Sequence, residues 1–331
     1  MVRRRILTAV VVVMIAVSSL GGIASYKAYA AQTATVGGNA LKISPVRDDI
    51  VMNPGTSKTI DVFITNLTSV PANLHGVAND FTSGGTESGQ PAIILDENQA
   101  APSHSLKQYV APIGNFTLAA GAQKDVKVVI TVPKGAVGGG YYGAIRFYPQ
   151  QPAGDKSLNL AASVGSLILL KVNGVIDEKL SVASFDVRRG DNSAFFFTGS
   201  KGLTNVVRFQ NTGNIQLEPF GKLQLKRFGK TVAEYEVNTN DPKSNVLPDS
   251  IRRFDTPLKG VGPFGKFTLT GNFGYGSTGQ LLTAKATFYV VPVAYVAIVL
   301  AAVALLILLV IFLPRMIRNY NQRVVRRARR R

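Results

Sequence analysis

In Thr59-Ile60-Asp61-Val62-Phe63-Ile64-Thr65 the apolar Ile60, Val62 and Ile64 take alternate positions. Side chains of an extended strand alternate between its two faces, so these three share one face and the polar residues share the other. Lys124-Asp125-Val126-Lys127-Val128-Val129-Ile130-Thr131-Val132 repeats the pattern with Val126, Val128, Ile130 and Val132. Both segments read as strands of a sheet buried on one side. The punctuation around them is turn chemistry: Asn53-Pro54-Gly55, Ser83-Gly84-Gly85, Ala120-Gly121 and Pro133-Lys134-Gly135. No stretch there carries an amphipathic helical repeat of useful length. Further strands are predicted at 41–46, 74–79, 141–147 and 164–172. A series of short strands separated by Gly and Pro turns describes a β-sandwich of immunoglobulin-like size, drawn over 38–174.

A second unit of the same kind is predicted over 175–289, with strands at 180–187, 194–198, 204–210, 222–228, 231–237, 250–254, 266–271 and 281–289. Asn211-Thr212-Gly213-Asn214 and Phe228-Gly229-Lys230 supply its turns. Its last strand runs almost directly into Val291–Leu313, a stretch of 23 apolar or near-neutral residues inside an uncharged run from Ala286 to Pro314. About 20 such residues cross a bilayer as a helix. The predicted fold class is therefore all-β, two tandem immunoglobulin-like β-sandwich domains plus one C-terminal transmembrane helix.

Composition agrees with this division. The 331 residues are 46% hydrophobic and only 17% charged, with a mean hydropathy of +0.16, a balance that argues against a soluble cytoplasmic protein. The net charge of +18 is concentrated at the ends: Arg3, Arg4, Arg5 and Lys27 lie before residue 31, and Arg315, Arg318, Arg323, Arg326, Arg327, Arg329, Arg330 and Arg331 follow the apolar segment. The middle is only mildly basic, so nucleic acid is not favoured as a partner. The tail at 314–331 is placed in the cytoplasm by the positive-inside rule, where it would attract anionic lipid. Three arginines, an apolar run from Ile6 to Val17 and Ala28-Tyr29-Ala30 make 1–30 a predicted secretory leader cut after Ala30. These features predict a single-pass type I protein of the plasma membrane with both β-domains outside. The absence of cysteine points to a bacterial envelope, and excludes thiol nucleophiles, zinc–cysteine sites and iron–sulfur clusters.

The chain resembles the WxL-interacting protein family of Gram-positive cell surfaces. The resemblance is carried by Ile43-Ser44-Pro45, Asn53-Pro54-Gly55, Val62-Phe63-Ile64-Thr65-Asn66, Ala120-Gly121 and Gly140-Tyr141-Tyr142-Gly143-Ala144-Ile145, and by Asn211-Thr212-Gly213-Asn214, Pro219-Phe220-Gly221 and Phe228-Gly229-Lys230 in the second half. It implies a first domain of the peptidoglycan-binding type, a second domain that contacts WxL partner proteins, and the single C-terminal membrane helix with its basic tail. The polar loop at 82–104 and the insert at 238–248 match no motif of that family.

Chemistry is hard to build from this inventory. His75 and His104 fall in no metal-binding spacing, and no serine sits in a GxSxG elbow. Asp80, Glu87, Asp96 and Glu97 offer carboxylates in loops without a spacing that pairs them, and Asp96-Glu97-Asn98 reads as a polar hairpin rather than a calcium site. Gly135–Gly143 lacks the Lys-Ser/Thr of a phosphate loop and reads as a turn leading into a strand. No enzymatic activity and no cofactor are expected. Exposed aromatic surface is the expected route to binding, from Tyr109, Tyr141, Tyr142, Tyr148 and the run Phe195-Phe196-Phe197, since three consecutive rings cannot all face a core. The function expected is binding or presenting an envelope component, a protein partner or cell-wall peptidoglycan. The alternatives are a membrane-tethered assembly chaperone acting through an exposed edge strand, and a passive structural stalk.

Overall fold

The computed structural model describes residues 40–150 and 163–328, with side chains as far as residue 318. The predicted leader and its cut after Ala30, and the arginine side chains beyond residue 318, lie outside the described residues. The first nine strands are β1 (Leu41–Ser44), β2 (Arg47–Met52), β3 (Ser57–Asn66), β4 (Ala72–Thr82), β5 (Ala92–Ile93), β6 (Gly114–Leu118), β7 (Gln123–Thr131), β8 (Gly139–Pro149) and β9 (Val164–Val172). They form two sheets, β1-β3-β7 and β2-β9-β8-β4-β5, with β6 pairing β4. The opening pattern sets the register of the smaller sheet: Ile60 lies opposite Val128 and Val62 opposite Val126. Their inward faces meet Leu74, Ile145, Phe147, Ile168 and Leu170 of the larger sheet in one core.

One difference from the sequence reading lies at the start. The strand expected over 41–46 is broken at the cis Ser44–Pro45 bond. Proline has no N–H to give to a ladder, and the chain changes sheets there. β1 pairs β3 antiparallel, whereas β2 runs parallel to β9 on the other sheet. This switch ties the two layers together and makes Arg47 the first residue of β2, the edge strand of the larger sheet.

The second group is β10 (Leu180–Arg189), β11 (Asn192–Ser193), β12 (Phe196–Phe197), β13 (Leu203–Asn211), β14 (Phe220–Arg227), β15 (Lys230–Val237), β16 (Ser250–Pro257), β17 (Gly265–Tyr275) and β18 (Gln280–Val290). Its sheets are β11-β10-β13-β16 and β12-β18-β17-β14-β15. Their core is aromatic, with Phe209 edge-on to Phe273 at 4.9 Å and Phe267 stacked on Phe288 at 5.4 Å. Both groups are immunoglobulin-like sandwiches, and they share a local device. Asn66 ends β3 and Asn211 ends β13, and each is buried. The Asn66 amide donates to Val70 O at 2.8 Å, and that of Asn211 to Ile215 O at 2.7 Å and Val246 O at 2.9 Å. A buried carbonyl left unpaired is costly, so each asparagine closes the loop that follows its strand.

After β18 only Val291 and Pro292 precede the helix α1 (Val293–Ala328). The 26-residue stretch Val293–Arg318 contains an 18-residue window of mean hydropathy 3.5, none of it buried against protein. At 1.5 Å per residue that stretch is about 39 Å long, against roughly 30 Å of bilayer hydrocarbon. It is long and apolar enough to cross a membrane.

Candidate functional site

The polar loop after β4 reaches across to the second sandwich. Glu87, with φ +56, accepts the Arg253 N–H on its carbonyl at 2.9 Å. Its carboxylate receives the Arg208 guanidinium as a fork, Nε to Oε2 at 2.6 Å and Nη2 to Oε1. Arg208 and Arg253 are cross-strand neighbours on β13 and β16. The Arg208 hydrogen bond holds the Glu87 carboxyl below the usual range, against the opposing effect of burial. The loop at 82–104 is itself pinned to its own domain by the buried Asp80, whose carboxylate accepts the N–H groups of Ala101 and Lys107, each at 2.9 Å.

Two more links lie beside this clamp. The Tyr142 hydroxyl donates to Gln216 Oε1 at 2.7 Å and accepts the Gln216 N–H at 2.8 Å. Gly140 N–H donates to Asn214 O at 2.8 Å, and Asn214 Nδ2 donates to Gly138 O at 3.0 Å. Beneath them Phe81, Tyr142 and Leu169 of the first sandwich form a small apolar cluster, joined by Leu247 of the second. The outer face of the larger sheet, ordinarily a solvated surface, is thus covered here by the neighbouring domain.

Between these links lies a cavity of about 230 Å³. Phe81, Leu167, Leu169 and Leu247 line it with apolar surface, while Arg47, Lys243 and Arg252 bring cations. No carboxylate is among its lining residues. Arg47 is partly neutralised by the Asp49 carboxylate at 2.8 Å, and Glu218 stands 3.7 Å from it. Arg252 differs: it donates Nη1 to Asn245 O at 2.6 Å, and no carboxylate lies within ion-pair distance of it among the described residues. Burial, and then the like charge of Arg47, press its pKa below the usual guanidinium range. Gly89, at φ +76, packs flat on this guanidinium, where any Cβ would overlap it. The cleft therefore holds a half-buried cation beside apolar lining, an arrangement that an anion carrying apolar groups would relieve.

The aromatic residues expected to offer surface divide. Tyr142 is buried in the junction just described, and burial pushes its hydroxyl well above the usual tyrosine range. Tyr109 and Tyr141 pack together at 4.9 Å against the first core, with the Tyr141 hydroxyl on Val137 O. Tyr148 is half-buried, its hydroxyl given to Glu97 Oε1 at 2.6 Å and one ring face covered by the Arg146 guanidinium at 5.0 Å. Phe197 is buried, so it offers no surface. Phe195 and Phe196 remain 75% and 68% exposed, and Phe196 stacks on Tyr289 at 5.0 Å. The aromatic set thus does not converge on one site. The cavity residues Arg47 and Arg252 and the clamp residue Glu87 lie far apart in the sequence, where nothing groups them; an arginine within the half-buried strand at 250–254 is the available signal.

Among the described residues no group of three His, Asp or Glu side chains is placed to hold a metal ion. No family model and no curated protein matches the chain. Among solved structures it is similar to the class 5 fimbriae chaperone CfaA, 13% identical over 76% of this chain and 99% of that one, with a TM-score of 0.38. It is similar to the E. coli chaperone DraB at 15% identity, over 75% and 96% of the two chains, with a TM-score of 0.35. A chain of the CsuC–CsuE complex of Acinetobacter baumannii gives 12% identity, 74% and 97% coverage and a TM-score of 0.36. Identities this low and TM-scores below 0.5 bear on neither partner nor activity.

Proposed function

We propose that this chain is a non-enzymatic, membrane-tethered binding protein of a bacterial envelope, whose cleft between the two sandwiches takes hold of an anionic, apolar-flanked segment of another envelope protein. The observation that carries this reading is Arg252, a half-buried cation with no carboxylate in ion-pair distance among the described residues, in a cavity that Phe81, Leu167 and Leu169 also line and that has no acidic residue among its described lining. A carboxylate placed there gains charge-assisted hydrogen bonds worth about 1.5–3 kcal/mol each, and apolar groups beside it gain burial on the floor. The basic tail keeps α1 oriented with the sandwiches outside the cell. Kinship with the WxL-interacting proteins belongs to this proposal and adds retention of the first domain on peptidoglycan, which a sacculus pull-down tests.

The edge-strand reading has its own observation. The N–H groups of Tyr289 and Val291 donate to Phe195 O and Phe197 O on the outer side of β18. By the two-residue alternation of a strand, Leu281, Thr283, Lys285 and Thr287 present backbone groups on that same side, and no strand pairs with them among the described residues. An extended segment of a partner could add there, with Lys285 discouraging indiscriminate pairing. The test of the main reading is photo-crosslinking from the cleft in native membranes, with and without Arg252→Ala. Specific capture that depends on Arg252 supports it, and capture only from positions along β18 transfers the function to the edge.

A further inference from the structure

Exposed phenylalanines of the second sandwich gather at one end. The register fixes that end: Gly265 lies opposite Val290 on β17 and β18, Arg227 opposite Phe267 on β14 and β17, and Phe196 beside Tyr289 on β12 and β18. The turn after β14, the loop before β17 and the short β12 therefore all sit where β18 terminates. They carry Phe228 at 71%, Phe264 at 45%, Phe195 at 75% and Phe196 at 68% exposure. The contacts with the first sandwich, through Gln216, Asn214 and Arg252, occupy other loops and strands of the domain.

This is also the end from which α1 departs. Two residues separate β18 from α1, and two extended residues reach only about 7 Å. The Phe264 ring lies 5.8 Å from Tyr295 in the first turn of α1. Phe228 provides an independent sign. It holds φ +47 and is followed by Gly229 at φ +84, a two-residue hairpin in which Asn or Asp ordinarily takes the first place. A bulky side chain in that region is strained and finds no core here, so the hairpin itself gives no reason for phenylalanine. Arg227, Lys230, Lys259 and Lys266 flank these rings in the sequence, and Asp191 is the acidic residue in the turn between β10 and β11.

Aromatic rings among basic side chains, next to the start of a membrane span, match the chemistry of a bilayer interface, apolar at acyl depth and anionic at the headgroups. We infer that the second sandwich is seated on the membrane, with Phe195, Phe196, Phe228 and Phe264 inserted at the headgroup–acyl boundary of an anionic leaflet and the neighbouring lysines and arginines on its phosphates. The inference rests on reading α1 as the span. It makes the domain a rigid pedestal that presents the cleft at a fixed height and orientation, rather than a tethered module free to tilt.

The chain contains no tryptophan, so single-tryptophan variants report without background. Full-length protein carrying Phe195→Trp, Phe228→Trp or Phe264→Trp is reconstituted into phosphatidylcholine–phosphatidylglycerol vesicles, with Phe220→Trp, exposed at the opposite end of β14, as the reference. Bromine-labelled lipid is expected to quench the first three several-fold more than Phe220→Trp, with emission shifted to the blue. Equal quenching at all four positions overturns the inference, as does shielding from aqueous iodide without quenching by bromolipid, which marks a protein cover. Protein that fails to float with the vesicles refutes the span and this inference together; protein that floats with water-exposed tryptophans refutes only the inference. Hydrogen exchange on the unaltered chain in nanodiscs against detergent gives a second readout: the Phe228 turn and the loop before β17 are expected to be protected in discs, and unchanged exchange there contradicts the seating.

Discussion

Tyr142 and Gln216 join the two sandwiches through a reciprocal pair of hydrogen bonds, the hydroxyl donating to Oε1 at 2.7 Å and accepting the backbone N–H at 2.8 Å. The phenol comes from the middle of the larger sheet of the first domain, and its ring stands on Phe81 and Leu169. A surface position of one domain has become a core position of the pair.

Tyr142→Phe keeps the ring and removes the hydroxyl. The Gln216 N–H then loses its partner in a half-buried setting, which costs about 1–3 kcal/mol. The expected outcome is a lowered Tm and faster protease cleavage in the segment 173–179 that joins β9 to β10, with unchanged β-sheet circular dichroism. Unaltered cleavage would show that the sandwiches are held together without this contact.

Glu87→Gln breaks the fork to Arg208 while leaving the Glu87 carbonyl on Arg253. Both side chains are about 30% exposed, so the loss is about 1 kcal/mol, at the upper end for pairs in contact with solvent. The pH dependence has a definite sign. The folded state holds the Glu87 pKa below its usual value, so the clamp contributes fully above the usual glutamate range and is lost as pH falls through the depressed folded value. Parent and Glu87→Gln stabilities are expected to differ at neutral pH and converge in acid; a constant difference across that range contradicts the assignment.

Gly89→Ala is expected to destabilise by about 1–3 kcal/mol, because φ +76 is unfavourable to alanine and the methyl meets the Arg252 guanidinium. Chemical denaturation of the detergent-solubilised chain measures it. A neutral result would mean that Arg252 moves aside freely and that the cleft is not preorganised.

Arg252→Met tests the desolvated cation from the other side. Removing a half-buried charge that faces Arg47 is expected to leave stability unchanged or raise it by up to about 1 kcal/mol. A loss of several kcal/mol would instead make Arg252 a structural brace rather than a binding group.

Much of the architecture was readable because burial on one face writes itself as period two. Ile60, Val62 and Ile64 show it, and each is inside the core. Pro45 was readable as a residue but not as a change of sheet, since a strand that switches layers keeps the same local pattern on either side of the break. Tyr142 misled for a related reason: it alternates outward from its own core, and nothing local reveals that a second domain covers that face. The cleft was least legible. Arg47, Gly89 and Arg252 line one cavity only through tertiary contacts, and the loop bearing Gly89 follows no strand or helix period.

Capture of a segment of another envelope protein by the cleft, through Arg252, is tested by placing a photo-crosslinking amino acid at Ser83 or Ser244, which line the cavity, and at exposed Lys58 on the smaller sheet of the first domain as reference, in full-length protein in its native membrane. A discrete protein adduct from Ser83 and Ser244, absent from Lys58 and lost in Arg252→Ala, is the result predicted. Adducts equal at all three positions, or unchanged by Arg252→Ala, would contradict it.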